Sequence, residues 1–242
     1  MKRKSMSDLR TMRRACHDNE LSGALEESSL EDLRKHALSY SVSLDPSQLA
    51  QIRLYLSELL RWNQKINLIS VSDARDLLLR HVLDSLVPIP FLEGVNNIMD
   101  VGSGAGFPGI AVKIASRHLR VFLVEARRKR ASFLGQVINK LCLNDIEAIW
   151  SRIESRVLAE RFFRNPVDCM ITRASGAESD ILTAGKYLLR VGGKILLMKG
   201  ALSEEETQRL EKIVDGQERR IAWIAPYRLP NVTQERNLVL IE

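Results

Sequence analysis

The sequence predicts an α/β fold built on a mostly parallel β-sheet. From residue 96 onward, short apolar runs alternate with helical patterns of about 10 to 15 residues, which is typical of parallel strands with helices on both faces. A glycine-rich loop, DVGSGAGFPG over Asp100–Gly109, follows the first apolar run. Two β-like runs at 219–229 and 236–242 close the chain around a turn, and they predict an antiparallel hairpin at one side of the sheet.

The individual elements follow from hydrophobic spacing. The predicted strands before the hairpin are 96–102, 121–126, 146–150, 167–173 and 194–200. The predicted helices are 108–116, 129–142, a segment through 181–188 that ends at VGG, and a charged helix at 203–214. Because right-handed crossovers bring the loops after parallel strands to one edge of the sheet, we expect a ligand to bind at that edge.

Before the first strand, the sequence predicts a flexible or partly helical arm followed by a small helical cap. The expected segments are a basic, flexible arm over 1–44, a helical cap over 45–95 and the sheet domain over 96–242. Asp45 or Ser47, with Pro46, predicts the start of the first cap helix. Asp73 can begin a second cap helix that ends near Pro88.

Composition narrows the partners and excludes several classes of protein. A formal net charge of +6 favours polyanionic partners. The sequence contains no run of roughly 18 apolar residues, so no membrane span is expected, and the basic N-terminus lacks the apolar segment of a secretory signal. Cys16, Cys142 and Cys169 are too few and too widely spaced for a zinc site or a disulfide framework. We therefore expect free thiols, no metal and a cytoplasmic location.

The glycine loop has the spacing of a nucleotide-binding turn. GAGFPG, which starts at Gly104, is a G-x-G-x-x-G pattern between a strand and a helix. Glycines let a ligand approach the backbone, and the helix N-terminus offers free N–H groups. Glu125, at the end of the second strand, can accept hydrogen bonds from both hydroxyls of an adenosine ribose. These features fit NAD and S-adenosylmethionine equally.

Three observations favour S-adenosylmethionine over NAD. Asp100, two residues before the first glycine, would repel a pyrophosphate but attract an amino group and a sulfonium. About 95 residues precede the first strand, whereas a dinucleotide domain often begins with it. The closing hairpin suits the seven-stranded sheet of a Rossmann-like class I methyltransferase. An NAD dehydrogenase stays as an alternative, whereas a Walker phosphate loop is excluded because no G-K-[ST] follows.

The residues also constrain the methyl acceptor. The fourth strand leads into ITRASG, without the Asn/Asp-Pro-Pro-aromatic loop that is common in methylation of exocyclic amines. Cys169 lies within that strand, so we expect a buried, unreactive thiol rather than the nucleophile for pyrimidine C5. A ring nitrogen such as guanine N7 needs no general base, because its lone pair carries no proton. No catalytic residue is therefore assigned.

Several polar residues have both a functional and a structural interpretation. Arg173 ends the fourth strand near the ligand edge, or it forms an ion pair with a neighbouring acid. Glu154 can accept from an adenine amino group, or it is a helix-start acid. His81 and Asp84 are three residues apart on a cap helix and can touch, which favours a structural pair.

The candidates for RNA binding are basic side chains. They are Arg127, Arg128, Lys129, Lys199 and His81. The first three belong to a run of four cations, for which a solvated helix start is the alternative. For Lys199, the alternative is an ordinary surface lysine.

Seven motifs together resemble a known family. In order along the chain they are NLIS, RHVLDSL, DVGSGAGFPGIAVKIA, RKRASFL, SRIES, ITRAS and LLMKG. Over about residues 48–200 they resemble the RsmG (GidB) family, bacterial methyltransferases of small-subunit ribosomal RNA. RHVLDSL together with DVGSGAGFPG is specific to that family, whereas the glycine loop alone is not.

The resemblance implies methyl transfer from S-adenosylmethionine to N7 of a guanine in 16S rRNA. The partner is then the small ribosomal subunit, and the enzyme is a cytoplasmic monomer. The cofactor contacts that it implies, together with Gly104 of the loop, are Gly102, Phe107, Glu125, Ile153, Glu154 and Arg173. Relatives often have Asp in place of Glu125 and a large apolar residue in place of Ser175. The alternatives are methylation of another RNA position or a small molecule, and a ribosome-binding protein without catalysis.

Overall fold

Seven strands form one sheet in the computed structural model, which describes residues 26–70, 76–173 and 178–242. The strands are β1 Asn97–Val101, β2 Arg120–Glu125, β3 Ile146–Trp150, β4 Val167–Thr172, β5 Leu189–Lys199, β6 Ile221–Tyr227 and β7 Arg236–Ile241. Their order in space is β3-β2-β1-β4-β5-β7-β6. The first five strands run parallel, and β7 pairs antiparallel with β5 and β6. The predicted sheet and its C-terminal hairpin are confirmed.

Helices cover both faces of this sheet. The α-helices are α1 Glu27–Leu38, α2 Pro46–Asn63, α3 Asp84–Leu86, α4 Gly109–Ala115, α5 Arg128–Lys140, α6 Arg156–Phe162, α7 Glu178–Leu188 and α8 Glu204–Asp215. A π-helical segment, Leu77–Leu83, leads directly into α3, and a 3-10 helix spans Ile89–Leu92.

The strands divide their apolar side chains between two layers. Ile98 of β1 and Leu123 of β2 belong to a core that also contains the apolar faces of α1, α2, α4 and α5. Met99 and Val124 belong to a second core beneath α6, α7 and α8. Both faces are covered, which explains why the apolar residues of these strands are consecutive rather than alternating with polar ones. The cap helices share one continuous core with the sheet.

α2 begins where the sequence predicts. The Asp45 carboxylate accepts from the N–H of Gln48 at 2.8 Å, and the Gln48 side chain accepts from the N–H of Asp45 at 2.7 Å. This capping box, with Pro46 in the first turn, closes the N-terminus of the helix. The Gln48 amide also donates to the carbonyl oxygen of Ile114 at 3.0 Å, which ties the cap to α4.

Part of the expected flexible arm is a packed helix instead. Leu30, Leu33 and Ala37 of α1 are buried in the core that α2 shares. Residues 27–44 are therefore folded against the cap. Their apolar residues recur at three- and four-residue spacing, a signal that the polar composition of the segment obscured. Residues 1–25, which contain most of the positive charge of the arm, lie outside the described part of the chain.

β5 begins earlier than the predicted strand at 194–200. It starts at Leu189, directly after α7, and Leu189 pairs with Val167 of β4 before the register shifts. The VGG stretch therefore lies inside the strand, at an irregularity of the ladder. The predicted helix start at Asp73 and the thiol of Cys16 lie outside the described residues.

Candidate active site

Three glycines after β1 adopt backbone angles that other residues rarely reach. Gly102, Gly104 and Gly106 have φ values of +73°, +56° and +99°. The N–H groups of Gly102 and Ser103 donate to the carbonyl oxygen of Val124 at 2.9 and 3.2 Å. These bonds fold the loop against the end of β2, at the edge of the sheet where the sequence predicts the ligand.

Glu125 connects the glycine loop to the end of β2. Its side chain is buried, and its two oxygens accept from the N–H groups of Gly104 at 2.9 Å and Arg127 at 2.7 Å. Each oxygen accepts one bond here and keeps a second lone pair, so the carboxylate can still receive a ribose hydroxyl.

Asp100 lies beneath the loop with a buried and incompletely paired carboxylate. Its Oδ2 accepts from the N–H of Gly109 at 3.0 Å, whereas no described residue donates to its Oδ1. Burial raises the pKa of Asp100 to about 7, although the Gly109 N–H opposes the shift. A cationic donor beside it would favour the charged carboxylate. An acceptor without a donor, beside glycines at positive φ, therefore fits the ammonium end of S-adenosylmethionine.

Arg173 lies in a compact cluster at the end of β4. Its guanidinium carbon is 5.9 Å from the centre of the Phe107 ring, and its Nη2 is 3.1 Å from Nδ1 of His81. Its Nη1 lies 3.4 Å from Oδ2 of Asp84, so the ion pair considered from the sequence exists. The Phe107 ring packs 5.3 Å from the ring of Tyr55. About a fifth of the Arg173 side chain, 21%, stays exposed.

His81 and Asp84 do not pair with each other as the sequence suggests. Among the described residues no hydrogen bond or ion pair joins their side chains. His81 lies within the π-helical turn Leu77–Leu83, Asp84 follows that turn, and Arg173 contacts both side chains. Burial, helped by the positive charges of Arg173 and Arg236, lowers the pKa of His81 to about 4. The ring is neutral at pH 7 and adds no positive charge for RNA.

Asp84 instead joins three distant parts of the chain. Its fully buried carboxylate accepts from the Tyr227 hydroxyl at 2.8 Å and from Nη1 of Arg236 at 3.0 Å, in addition to Arg173. The carboxylate thereby ties the cap to β4, β6 and β7. Sequence reasoning missed Tyr227 and Arg236, since they lie 143 and 152 residues from Asp84 and no local pattern links them.

Ile153 and Glu154 lie in the loop after β3. Ile153 is half-buried against the second core, and Glu154 is exposed with its carboxylate 3.7 Å from Nη1 of Arg152. The N–H of Ser151 donates to the backbone oxygen of Glu125 at 3.1 Å, so this loop starts beside the end of β2. In the described part of the chain, no hydrogen bond or ion pair joins either residue to the glycine loop. Their contact with adenine stays a prediction.

The basic run lines one wall of an open groove. Arg127, Arg128 and Lys129 are exposed at the start of α5, and Lys65–Asn67 after α2 form the opposite wall. Arg130, which sequence reasoning left out of the site, spans the groove by donating to the backbone oxygen of Asn67 at 3.3 Å. Its guanidinium also borders Gly104, so the groove runs up to the glycine loop.

Lys199 is not part of this groove. It forms an ion pair with Glu178 at the start of α7. In the sheet, β1 and β4 separate its strand, β5, from β2, which precedes the basic run. The structure therefore does not bring Lys199 together with the other RNA-binding candidates, and its contact with RNA stays a prediction.

Cys169 is buried within β4, as the sequence predicts. Burial raises the pKa of the thiol to about 12, so a nucleophilic thiolate does not form at neutral pH. Cys142 is an exposed free thiol. Within residues 26–70, 76–173 and 178–242, no three His, Cys, Asp or Glu residues are grouped to hold a metal ion, and no helix is long and apolar enough to cross a membrane.

Sequence similarity to known proteins distinguishes the methyltransferase from the other functions that the sequence left open. Residues 48–225 match the family described as GidB, rRNA small subunit methyltransferase G. The chain belongs to this family. It is 34% identical over 203 residues to the ribosomal RNA small subunit methyltransferase G of Bacillus cytotoxicus, covering 83% of this chain and 84% of that protein. It is 33% identical over 213 residues to the same enzyme of Roseiflexus castenholzii, covering 88% and 90%.

Solved structures show the same fold at low sequence identity. An O-methyltransferase from Bacillus cereus, in complex with SAH, has a TM-score of 0.54 and 17% identity, over 77% of this chain and 90% of its own. A putative RNA methyltransferase from Pyrococcus horikoshii has a TM-score of 0.51 and 12% identity, over 79% and 97%. Both confirm the predicted Rossmann-like methyltransferase fold.

Family membership also confirms the predicted activity. The chain is an enzyme that methylates small-subunit rRNA with S-adenosylmethionine as the methyl donor. The NAD dehydrogenase and the non-catalytic ribosome-binding protein are set aside. Ser175, for which the resemblance implies a large apolar residue in relatives, lies outside the described residues.

Proposed function

We propose that the methyl acceptor is N7 of a guanine in 16S rRNA. The observation that carries this proposal is that the titratable residues described at the site are too weak or too buried to act as a general base. His81 is buried with a pKa of about 4, and Asp100, although its pKa is raised to about 7, is fully buried beneath the loop. Cys169 is likewise excluded as a nucleophile by its burial. Guanine N7 has a free lone pair and no proton, so an enzyme can methylate it by positioning alone.

We further propose which residues hold the cofactor. They are Gly102, Gly104, Phe107, Glu125, Ile153, Glu154 and Arg173. Gly102 and Gly104 leave room for close approach to the backbone, and the free lone pairs of Glu125 accept from the ribose. Ile153 and Glu154 flank the adenine on the next loop. The Oδ1 acceptor of Asp100, which no described residue donates to, supports an ammonium group at the other end.

The protein's own contribution is orientation and exclusion of water. S-adenosylmethionine, when bound, supplies an electrophilic methyl group on a sulfonium. Phe107 is buried between Tyr55 and His81 and presents an apolar wall, and Asp84 holds Arg173 in one position. The exposed edge of Arg173 retains N–H donors for an oxygen of the RNA. We propose a monomer acting in the cytoplasm, which light scattering of the purified protein and fractionation would test.

Nucleoside analysis tests the acceptor directly. Small ribosomal subunits from cells lacking this protein are incubated with the enzyme and methyl-labelled S-adenosylmethionine, and the 16S rRNA is digested to nucleosides. Mass spectrometry is expected to find the label in 7-methylguanosine. Label in another base or in a ribose would contradict N7 while leaving RNA methylation intact. The Glu125→Gln variant is expected to transfer the methyl label to 16S rRNA more slowly than wild type, with a raised KM for S-adenosylmethionine.

A further inference from the structure

Trp150, the last residue of β3, is an exposed aromatic side chain held in one orientation. It is 60% exposed, although tryptophan is the largest side chain. Its Nε1–H donates to the backbone oxygen of Ala126 at 3.0 Å, and the guanidinium carbon of Arg128 lies 5.4 Å from the ring centre. A ring that is already immobilised loses little entropy when a flat ligand stacks on it.

The groove beside Trp150 is lined by positive charges that have no acidic partner among the described residues. Arg127, Arg128, Lys129 and Lys65 are exposed around the groove, and none of them forms an ion pair with a described carboxylate. Other basic residues near β3 are paired: Arg161 lies 2.5 Å from Glu147, for example. The groove therefore retains its charge for an anionic partner.

We propose that Trp150 and Arg128 form a stacking site for an unpaired base of the rRNA substrate, and that the groove cations follow the phosphates beside it. An aromatic platform next to a basic groove is the combination that binds single-stranded nucleic acid, since every base has a face for stacking. This inference rests on the proposed function, because it assumes an RNA substrate.

The position of Trp150 distinguishes the stacked base from the methyl acceptor. Trp150 pairs in register with Glu125 at the same edge of the sheet as the glycine loop. Arg173, whose exposed N–H donors we propose to face the RNA beside the methyl donor, follows β4, three strands away in the order β3-β2-β1-β4. At the strand spacing of a sheet this separation is roughly 14 Å. The stacked base is therefore a flanking nucleotide, and the site contributes to the choice of RNA rather than to methyl transfer itself.

Substitution of Trp150 separates this role from a structural one. Trp150→Ala is compared with Trp150→Phe, which retains a ring, and with Phe163→Ala, which removes another exposed aromatic ring, 76% exposed, at the end of α6. Trp150→Ala is expected to raise the Kd for undermethylated small subunits about 5- to 150-fold, as loss of one base stack does. Trp150→Phe is expected to retain most of the affinity, and Phe163→Ala all of it.

Fluorescence gives a second readout. The chain has three tryptophans, of which Trp62 packs on Phe133 and Trp223 on Phe91. A single-stranded RNA oligonucleotide is expected to quench the wild-type emission through stacking on Trp150, and Trp150→Phe is expected to lose this quenching. If the RNA quenches the tryptophan emission of Trp150→Phe as strongly as that of wild type, the proposal is contradicted.

The alternative ligand for the Trp150 site is S-adenosylmethionine. Calorimetric titration of S-adenosylmethionine is expected to give the same Kd for wild type and Trp150→Ala. If Trp150→Ala weakens only cofactor binding, or if a folded variant binds subunits as tightly as wild type, the stacking site is refuted. Both RNA-binding measurements are made without turnover, so failure to form 7-methylguanosine would overturn the proposed acceptor and not this inference.

Discussion

Replacing Gly109 by alanine puts a methyl group between α4 and the sheet. The alanine Cβ would lie 2.3 Å from Cδ2 of Leu123 and 2.7 Å from Oδ2 of Asp100. Both of those side chains are fully buried, so neither can turn into solvent. The start of α4 must therefore move away from the sheet, together with the glycine loop that precedes it.

Three contributions set the size of the effect. Overpacking a filled core costs about 1–3 kcal/mol. Movement of α4 also weakens the hydrogen bond from the Gly109 N–H to Asp100, which contributes about 1–3 kcal/mol depending on the charge of the carboxyl. The higher helix propensity of alanine offsets about 1 kcal/mol. We expect the free energy of unfolding to fall by about 1–5 kcal/mol, which lowers Tm by about 2–20 °C.

Gly135→Ala is the matched control. Gly135 lies within α5, and an added Cβ would meet no atom within 4 Å, so this variant is expected to gain about 0.5–1 kcal/mol. Urea denaturation compares the two, and calorimetry compares their Kd for S-adenosylmethionine. We expect the Kd for S-adenosylmethionine to rise at least about tenfold in Gly109→Ala, equivalent to about 1.4 kcal/mol of binding free energy, and to stay unchanged in Gly135→Ala. Equal stability of the two variants would refute the close approach of α4 to Leu123 and Asp100.

Three more substitutions or conditions test the site. Asp84→Asn is expected to lower the free energy of unfolding by about 3 kcal/mol in urea, because Arg173 and Arg236 lose their buried counter-charge; a change below about 0.5 kcal/mol would contradict this. Burial lowers the folded-state pKa of His81 to about 4, so its contribution to the free energy of unfolding is fully present above about pH 6.5 and is lost as the pH falls toward 4. This loss of unfolding free energy at low pH should be smaller in His81→Phe. Gly104→Val, at φ +56°, is expected to weaken S-adenosylmethionine binding in titrations; unchanged affinity of a folded variant would show that the cofactor does not approach this glycine.

Features encoded within a few residues were predictable. The capping box at Asp45, the strand–loop–helix around the glycines and the closing hairpin all depend on neighbours in sequence, and the structure has each of them. The inert thiol of Cys169 was predictable too, because an apolar strand inside a parallel sheet is buried on both faces. The helix α1 was missed because its few buried positions lie among many charged ones.

Contacts between distant segments were not predictable. The sequence places His81 three residues before Asp84 and suggests that they pair, whereas Asp84 binds Arg173, Arg236 and Tyr227 from three strands or their ends. No spacing rule relates residues that are far apart in the chain. The π-helical turn that contains His81 and ends just before Asp84 likewise has no local sequence pattern that predicts it.

The parallel sheet, the glycine loop and the abundance of cations all follow from local sequence patterns. Which of those cations are free to bind RNA depends on the folded arrangement. Lys199 is neutralised by Glu178, whereas Arg127–Lys129 form no ion pair with a described carboxylate and lie along a groove that ends at the glycine loop. Backbone preferences act over a few residues and can be recognised in sequence, but Coulomb attraction and burial act through space and depend on which distant segments the fold brings together.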